Sequence, residues 1–149
     1  MRAVVQRVSK ASVEVDNKVV SKISNGLLVL IGLTHEDSKE EFNYTINKIL
    51  KLRIFDDEQG VMNKSVVDIS GEILLVSQFT LYGDCRKGNR PSYQQAMNPD
   101  KAKKEFDNFF SCFKRQYEKV QNGIFGAHMK VDLLNDGPVT ILIDSLKVF

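Results

Sequence analysis

The hydrophobic pattern of the chain alternates between short β-branched runs and longer stretches with helical spacing. Valines recur through Arg2–Val15, a polar segment covers residues 16–18, and Val19 resumes the apolar pattern. That arrangement predicts a β-hairpin. Asn25–Gly26 is a turn signal, and the continuous apolar run 27–33 after it predicts a buried strand.

Two stretches carry apolar residues at the three- and four-residue spacing of an amphipathic helix. Ser38 and Glu41 form a capping-box pattern ahead of the first, whose apolar stripe covers residues 42–50. Asn98–Pro99 supplies the cap and the first-turn proline of the second. The aromatic stripe of this second helix is expected to lie in the core, and Asn122–Gly123 is expected to end the helix.

A further buried strand begins at Ile73 and is predicted to continue through residues 77–81. Because side chains alternate along a strand, Gln78 and Thr80 are expected to share one face. Thr80 has two interpretations at this point: it is a good β-former, or it lines a pocket together with the Gln78 amide. Strand ends also expose main-chain N–H groups, which can hold a developing oxyanion.

The segment 135–140 separates two strand-like apolar runs, and its Asn, Asp, Gly and Pro residues predict a tight turn between them. Gly137 has no side chain, so another group can approach its backbone closely. The Gly137–Pro138 bond is one of three X-Pro bonds in the chain, where a cis bond is tolerated. A cis bond would turn both carbonyl groups in a similar direction, as a clamp for an ammonium or amide donor. A plain surface turn is the alternative.

Basic residues stand in two contexts that could bind carbonyls, phosphates or bases. Arg7 lies among apolar neighbours in the first strand and is either a solvated charge or a guanidinium that holds a carbonyl or phosphate. A glycine-rich loop is either a solvated charge run or a site for phosphates and unstacked bases. The basic residues of this loop are Arg86, Lys87 and Arg90. Two tyrosines, Tyr82 and Tyr93, flank them.

The predicted order of strands, helix, strand, helix and strands indicates an α+β fold. Mixed or antiparallel β-sheets would form a barrel-like or layered core, with two main helices packed on one side. The 149 residues fit a single domain over 1–149. A domain of that length buries about 70% of the surface of its unfolded chain.

Composition narrows the class of protein only modestly. Apolar content of 42% and charged content of 27% are ordinary, and a net charge of +2 does not by itself indicate a nucleic-acid partner. Cys85 and Cys112 have neither metal-ligand nor disulfide-scaffold spacing, so free thiols in a reducing compartment are expected. No apolar run reaches the length of a membrane span, and residues 1–5 look like the start of a strand, so no signal peptide is expected. A cytoplasmic protein without a membrane partner is expected.

The usual catalytic groups are scarce. His35 and His128 lack ligand spacing and are expected to be structural or surface histidines. There is no Gly-x-Ser-x-Gly elbow, no phosphate-binding glycine loop ahead of a helix, and no zinc motif. No metal and no cofactor are therefore expected.

Two of these segments together resemble the signature motifs of the D-aminoacyl-tRNA deacylases, namely residues 77–81 and 135–140. The opening residues 1–8 and the loop 87–92 are also similar to that family, and the resemblance covers essentially the whole chain. It implies a homodimer that hydrolyses the ester between a D-amino acid and the terminal ribose of tRNA. Glycine mischarged onto tRNA(Ala) would also be released. The partner that binds the site would be the 3′-terminal aminoacyl-adenosine of tRNA.

The resemblance also implies roles for individual residues. Gly137 and Pro138 would form a cis peptide that enters the active site of the partner subunit, where its carbonyl groups reject L-amino acids. Arg7 would steady this motif, and Ser77 would contact substrate. Main-chain groups would act in catalysis together with the terminal 2′-hydroxyl of the RNA. The resemblance places the catalytic positions at Gln78, Phe79 and Thr80.

Three functions are consistent with these residues. The first is the tRNA-editing esterase. The second is an esterase on small esters that uses a serine or threonine nucleophile, with Thr80 as the candidate. The third is a non-catalytic RNA-binding dimer whose tRNA contacts come from Arg86, Lys87 and Arg90.

Overall fold

The computed structural model describes residues 1–148, which form eight strands and two helices. One 3₁₀ turn, Phe79–Tyr82, follows the sixth strand. The elements in chain order are β1 (Arg2–Val15), β2 (Lys18–Ile23), β3 (Gly26–Gly32), α1 (Lys39–Lys51), β4 (Phe55–Asp56), β5 (Met62–Lys64), β6 (Glu72–Ser77), α2 (Pro99–Gln116), β7 (Val120–Asn122) and β8 (Lys130–Asp144).

The long strand β1 is the centre of the sheet. One of its edges pairs antiparallel with β8, while its other edge pairs with β3 along the first half and with β2 along the second. The sheet continues with β6 and β7, both in parallel pairings. Gln121 of β7 accepts from the Lys22 N–H at 3.3 Å and donates to the Lys22 carbonyl at 2.7 Å. These bonds join β7 to β2, so the mixed sheet nearly closes into a barrel.

Both helices pack on one side of this barrel, as predicted. The rings of Phe42 in α1 and Phe109 in α2 meet edge to face, with centroids 5.4 Å apart. Along β3, Leu27 and Val29 pack into the core under the helices, whereas Leu28 packs into the barrel interior. Because β3 is buried on both faces, its sequence is continuously apolar. The predicted α+β class with a barrel-like core is confirmed.

Three local signals at the ends of elements are also confirmed. The predicted hairpin joins β1 to β2, and Asp16 and Asn17 between them have positive φ angles of 49° and 60°. The capping box at the start of α1 is present: the Ser38 N–H donates to the Glu41 carboxylate at 2.9 Å. At the start of α2, the Asn98 side chain accepts from the Asp100 N–H.

The prediction that the second helix ends at Asn122–Gly123 is wrong. The helix ends at Gln116, because Tyr117 adopts an extended backbone conformation. The chain then forms β7, whose buried Val120 lies beside Ile73 in a parallel pairing with β6. Within residues 1–148, neither helix has the length and apolar character needed to cross a lipid bilayer.

Candidate active site

The polar segment after β6 is a tight turn and not a continuation of the strand. β6 ends at Ser77, and the Leu81 N–H donates to the Gln78 carbonyl at 3.3 Å. The prediction of a strand to Leu81 with alternating faces is therefore wrong. The turn folds over the end of β3, where a Cβ on Gly32 would lie only 3.1 Å from the Gln78 carbonyl oxygen. We call residues 77–82 the strand-end turn.

The strand-end turn brings Gln78 and Thr80 together by a different route from the one predicted. The Gln78 side-chain amide donates to Thr80 Oγ1 at 2.6 Å, and the Gln78 main-chain N–H donates to the Ile31 carbonyl at 2.7 Å. Gln78 is thereby fixed to β3. The first N–H groups of a helical turn lack an acceptor inside that turn. In this turn they belong to Phe79 and Thr80, which are both exposed.

A largely apolar cavity of about 570 Å³ opens beside the strand-end turn. Ser77, Gln78 and Phe79 line one of its walls, and residues from segments 93–102 and 125–131 line the others. The ring of Phe79 stacks edge to face on Tyr93 at 5.0 Å between centroids. Three predicted site residues, Ser77, Gln78 and Phe79, thus line one wall of the same cavity. Thr80 is joined to it through the hydrogen bond to Gln78.

The segment 125–129 also lines the cavity, although its sequence carries little indication of this placement. His128 is exposed, which agrees with the expected surface histidine, and it also lines the cavity. The one local signal is Gly126, whose φ of +76° marks a turn that carries the chain across the cavity. Periodicity could not show this placement, because it depends on how β7 and β8 are joined.

Residues 135–140 do not form the predicted turn between two strands. Both apolar runs belong to the single 15-residue strand β8, and both pair with β1. Gln6 lies opposite Thr140 and Val8 lies opposite Asn135, so residues 136–139 loop out opposite Arg7. We call residues 136–139 the β8 bulge. Within it the Gly137–Pro138 peptide is cis, and both residues are exposed.

Side-chain hydrogen bonds hold the β8 bulge at its base. The Val139 N–H donates to Asn135 Oδ1 at 2.9 Å, and Asn135 Nδ2 donates back to the Val139 carbonyl at 3.2 Å. Arg7 Nε donates to the Asp136 carbonyl at 2.7 Å, while its Nη1 donates to the Ile54 carbonyl at 2.8 Å. The guanidinium therefore ties the bulge to the chain between α1 and β4. It is a largely buried group that binds carbonyls.

The β8 bulge and the cavity lie apart within one chain. Gly137 and Pro138 do not line the cavity, which β8 reaches only at its start, at Val131. Gly137 lies six residues after Val131 along β8, a span of about 20 Å. The two segments that resemble the family's signature motifs are therefore not brought together by a single copy of the chain.

The three basic residues of the glycine-rich loop differ in their surroundings. Arg86 folds back onto Asp84, with Nε and Nη2 donating to the carboxylate at 2.9 and 2.7 Å. These hydrogen bonds lower the pKa of the Asp84 carboxyl. Arg86 borders a second cavity and not the one beside the strand-end turn. Lys87 and Arg90 are exposed, and neither forms an ion pair with any residue in 1–148.

The two tyrosines near this loop also differ. Tyr82 is buried beneath Arg2, whose guanidinium lies 4.6 Å from the ring centroid. Burial raises the pKa of the Tyr82 phenol. Tyr82 therefore offers no ring to an unstacked base, contrary to the sequence-based interpretation. Tyr93 is exposed and lines the cavity.

Comparison with known proteins gives a consistent result over the full chain. The family model described as D-Tyr-tRNA(Tyr) deacylase matches residues 4–144. D-aminoacyl-tRNA deacylase of Thermosipho africanus is 60% identical over 149 residues, with all of both chains covered. The protein of the same name from Clostridium acetobutylicum is 56% identical over 149 residues, again with all of both chains covered.

Solved structures share the fold. The structure named c-Myc DNA Unwinding Element Binding Protein has a TM-score of 0.92 at 44% identity, and the match covers 97% of this chain and 98% of that one. A probable eukaryotic D-amino acid tRNA deacylase has a TM-score of 0.82 at 18% identity, over 95% and 97% of the two chains. The family match and the full-length relatives lead to one conclusion: the chain belongs to the D-Tyr-tRNA(Tyr) deacylase family.

Proposed function

We propose that this chain is a hydrolase that cleaves the ester bond of D-aminoacyl-tRNA, releasing the free D-amino acid and tRNA. Glycine mischarged onto tRNA(Ala) is released in the same way. The observation that carries the proposal is the apolar cavity bordered by the strand-end turn, in a chain of this family. The cavity takes the 3′-terminal aminoacyl-adenosine, with Ser77 at its wall.

Catalysis in this proposal depends on main-chain donors and on the RNA. An aminoacyl ester is already activated, so hydrolysis needs positioning more than strong acid–base groups. The N–H groups of Phe79 and Thr80 stabilise the oxyanion, and each such donor lowers the barrier by about 3 kcal/mol. Gln78, anchored to β3, fixes the turn that presents them. The terminal 2′-hydroxyl of the tRNA helps to activate the attacking water.

Selection against L-amino acids is assigned to the β8 bulge. The carbonyl groups of Gly137 and Pro138 accept from the α-ammonium of the substrate, and Arg7 holds the bulge in place. A D side chain points away from these carbonyls, whereas an L side chain would be forced onto them. Such a clash with polar backbone groups discriminates more strongly than a change in apolar contact area. Glycine has no side chain to be rejected.

A homodimer is part of the proposal, because the β8 bulge cannot reach the cavity of its own chain. Within residues 1–148, β8 pairs only with β1, so its outer edge is unpaired. Leu134 and Leu142, which flank the bulge on this strand, are 54% and 58% exposed. An unpaired edge with exposed leucines is a surface that proteins usually cover. A second copy covers it here and receives the bulge at its cavity.

The whole chain, residues 1–149, acts in this proposal as one deacylase domain in the cytoplasm. The location is supported by Cys85 and Cys112, both of which are free thiols.

A nucleophilic esterase is the second candidate, and the surroundings of Thr80 argue against it. Thr80 Oγ1 has the Gln78 amide as its hydrogen-bond partner, and an amide is no base. An activated hydroxyl requires a base within hydrogen-bond reach. A non-catalytic nucleic-acid-binding role is the third candidate, and the exposed Lys87 and Arg90 favour it. It predicts tRNA binding with steep salt dependence and no release of D-amino acid.

The deciding experiment is incubation of the protein with D-tyrosyl-tRNA, L-tyrosyl-tRNA and glycyl-tRNA, with release of the amino acid as the readout. Cleavage of the D-tyrosyl and glycyl substrates, with the L-tyrosyl ester intact, is expected. Equal cleavage of the D and L forms would contradict the assignment of chirality to the β8 bulge. Tight binding of all three without cleavage would favour the non-catalytic role.

A further inference from the structure

We propose that three lysines in the first turns of α2 bind the phosphates of the tRNA acceptor stem while the 3′ end occupies the cavity. The lysines are Lys101, Lys103 and Lys104. This inference rests on the proposed function and names the surface by which the site holds the paired part of its RNA.

The lysines are placed at the cavity by the helix that carries them. Asn98, Pro99 and Ala102, at the start of α2, line the cavity wall. Lys101 and Lys103 are the immediate neighbours of Ala102, and Lys104 follows half a turn later. With a rise of 1.5 Å per residue, the three lysines lie within about 5 Å of one another along the helix axis. Lys101 and Lys103 therefore flank Ala102 on its two sides, while Lys104 lies on the side of the helix opposite Ala102.

The charges of these lysines are free to meet a ligand. All three side chains are exposed, and none of them forms an ion pair with any residue in 1–148. Arg86 contrasts with them, because its charge is already paired with Asp84. Asp100 and Glu105 are the acidic residues in the first two turns of α2, so three positive charges stand against two negative charges there.

A polyanion is the ligand that fits this cluster. Lys101 and Lys104 are three residues apart and share a face of the helix, whereas Lys103 projects from another side. The cluster therefore offers ammonium groups over a broad arc. Double-stranded RNA carries closely spaced phosphates, which lysines bind as point charges without reading sequence. Because the reacting ester is at the 3′ end, the paired stem begins only a few nucleotides from the cavity.

The test compares two substrates in a triple variant, Lys101→Gln, Lys103→Gln and Lys104→Gln. The substrates are D-tyrosyl-tRNA and the minimal 3′-D-tyrosyl-adenosine. A triple variant of α1, Lys39→Gln, Lys48→Gln and Lys51→Gln, removes the same three charges from exposed positions that do not line the cavity. Glutamine keeps good helix propensity in both cases.

The α2 variant is expected to lose about tenfold or more in kcat/KM on D-tyrosyl-tRNA, chiefly through KM, because three phosphate contacts are lost. Its activity on the minimal substrate should equal that of the parent. For uncharged tRNA, the slope of log affinity against log salt should fall by about 2 to 3. The α1 variant should match the parent in all three measurements.

Equal loss in the α1 variant would overturn the inference, since total charge and not this surface would then bind the RNA. An unchanged salt slope in the α2 variant would also overturn it. Equal loss on both substrates would assign the lysines to the cavity instead of the stem. Failure of the parent protein to cleave D-tyrosyl-tRNA is a different result: it would contradict the proposed function, while the salt slope would still test the lysines.

Discussion

The strand-end turn and the β8 bulge are both places where a strand leaves its regular pairing, and they expose opposite halves of the backbone. The turn presents N–H groups beside an apolar cavity, and Gln78 fixes it to β3. The bulge does not line that cavity in its own chain, and Arg7 holds its Asp136 carbonyl. In the proposed function, the donors of the turn bind the oxyanion that forms from the ester carbonyl, and the acceptors of the bulge bind the α-ammonium of the same substrate.

The comparison also shows how the two segments are held. The turn is fixed at Gln78 by a main-chain hydrogen bond to β3, a strand buried on both faces. The bulge is fixed by side chains, namely Asn135 across its base and Arg7 behind it. Variants that break each segment should therefore differ: main-chain changes should damage the turn, and side-chain changes should damage the bulge.

The largest effect is expected for Phe79→Pro, which removes the Phe79 N–H. Proline is tolerated at the start of a helical turn, so the fold should survive. We expect kcat/KM on D-tyrosyl-tRNA to fall by at least about 100-fold, the equivalent of one lost oxyanion donor. Phe79→Ala is the matched control, because it removes the ring and keeps the N–H. Equal losses in the two variants would show that the ring, and not the main-chain donor, matters.

A loss of similar size is expected for Gly137→Ala. Gly137 has a φ of +145°, and a Cβ there would lie 2.6 Å from Val139 Cγ2 and 3.1 Å from Arg7 Nη2. The bulge must shift, so deacylation should fall by about 100-fold while the unfolding midpoint changes little. Gly60→Ala is the control: its φ is +75°, and no atom lies within 4 Å of the added Cβ. Full deacylase activity in Gly137→Ala would show that the bulge is not part of the active site.

A smaller effect is expected for Arg7→Ala, which frees the Asp136 carbonyl without touching the bulge itself. We expect activity to fall by about 10- to 100-fold and the preference for D over L esters to weaken, because a hydrogen bond to a charged group contributes about 1.5 to 3 kcal/mol. Arg53→Ala is the control, since Arg53 is exposed and also donates to a carbonyl, that of Asn63. The ratio of D-tyrosyl to L-tyrosyl cleavage is the measurement, and an unchanged ratio would contradict the role.

The smallest effect is expected for Thr80→Ala. The variant loses the hydrogen bond from Gln78, which contributes about 1 kcal/mol, so activity should fall by less than about tenfold. A threonine nucleophile would instead lose about 10⁴-fold or more. Replacing the terminal 2′-hydroxyl of the tRNA by hydrogen should have the larger effect. Single-turnover rates of the Thr80→Ala variant on normal D-tyrosyl-tRNA, and of the parent protein on the 2′-deoxy substrate, measure the two effects.

What the sequence predicted correctly was encoded locally. Ser38 and Glu41 specify the start of α1 within four residues, and Asp16 and Asn17 specify the first hairpin within two. The continuous apolar run of β3 follows from its burial on both faces. In each case the signal and the structure lie within one segment, so the pattern was sufficient to predict the element.

What it missed depends on contacts between distant segments. The second helix is predicted to run to Asn122–Gly123, but Val120 pairs in parallel with Ile73, which lies 47 residues earlier in the chain. Residues 135–140 look like a hairpin turn, yet both flanking runs pair with β1, which turns the segment into a bulge. The cavity role of His128 likewise follows from the path between β7 and β8. Nothing within these segments carries that information.

The central claim is that each active site combines the strand-end turn of one chain with the β8 bulge of another. The direct measurement mixes Phe79→Pro and Gly137→Ala proteins, each nearly inactive alone, and follows D-tyrosyl-tRNA deacylation after subunit exchange. Random pairing makes half of the dimers mixed, each with one intact site, so about a quarter of the parent activity should return. No recovery, despite demonstrated exchange, would mean that both segments act within a single chain and would contradict the account.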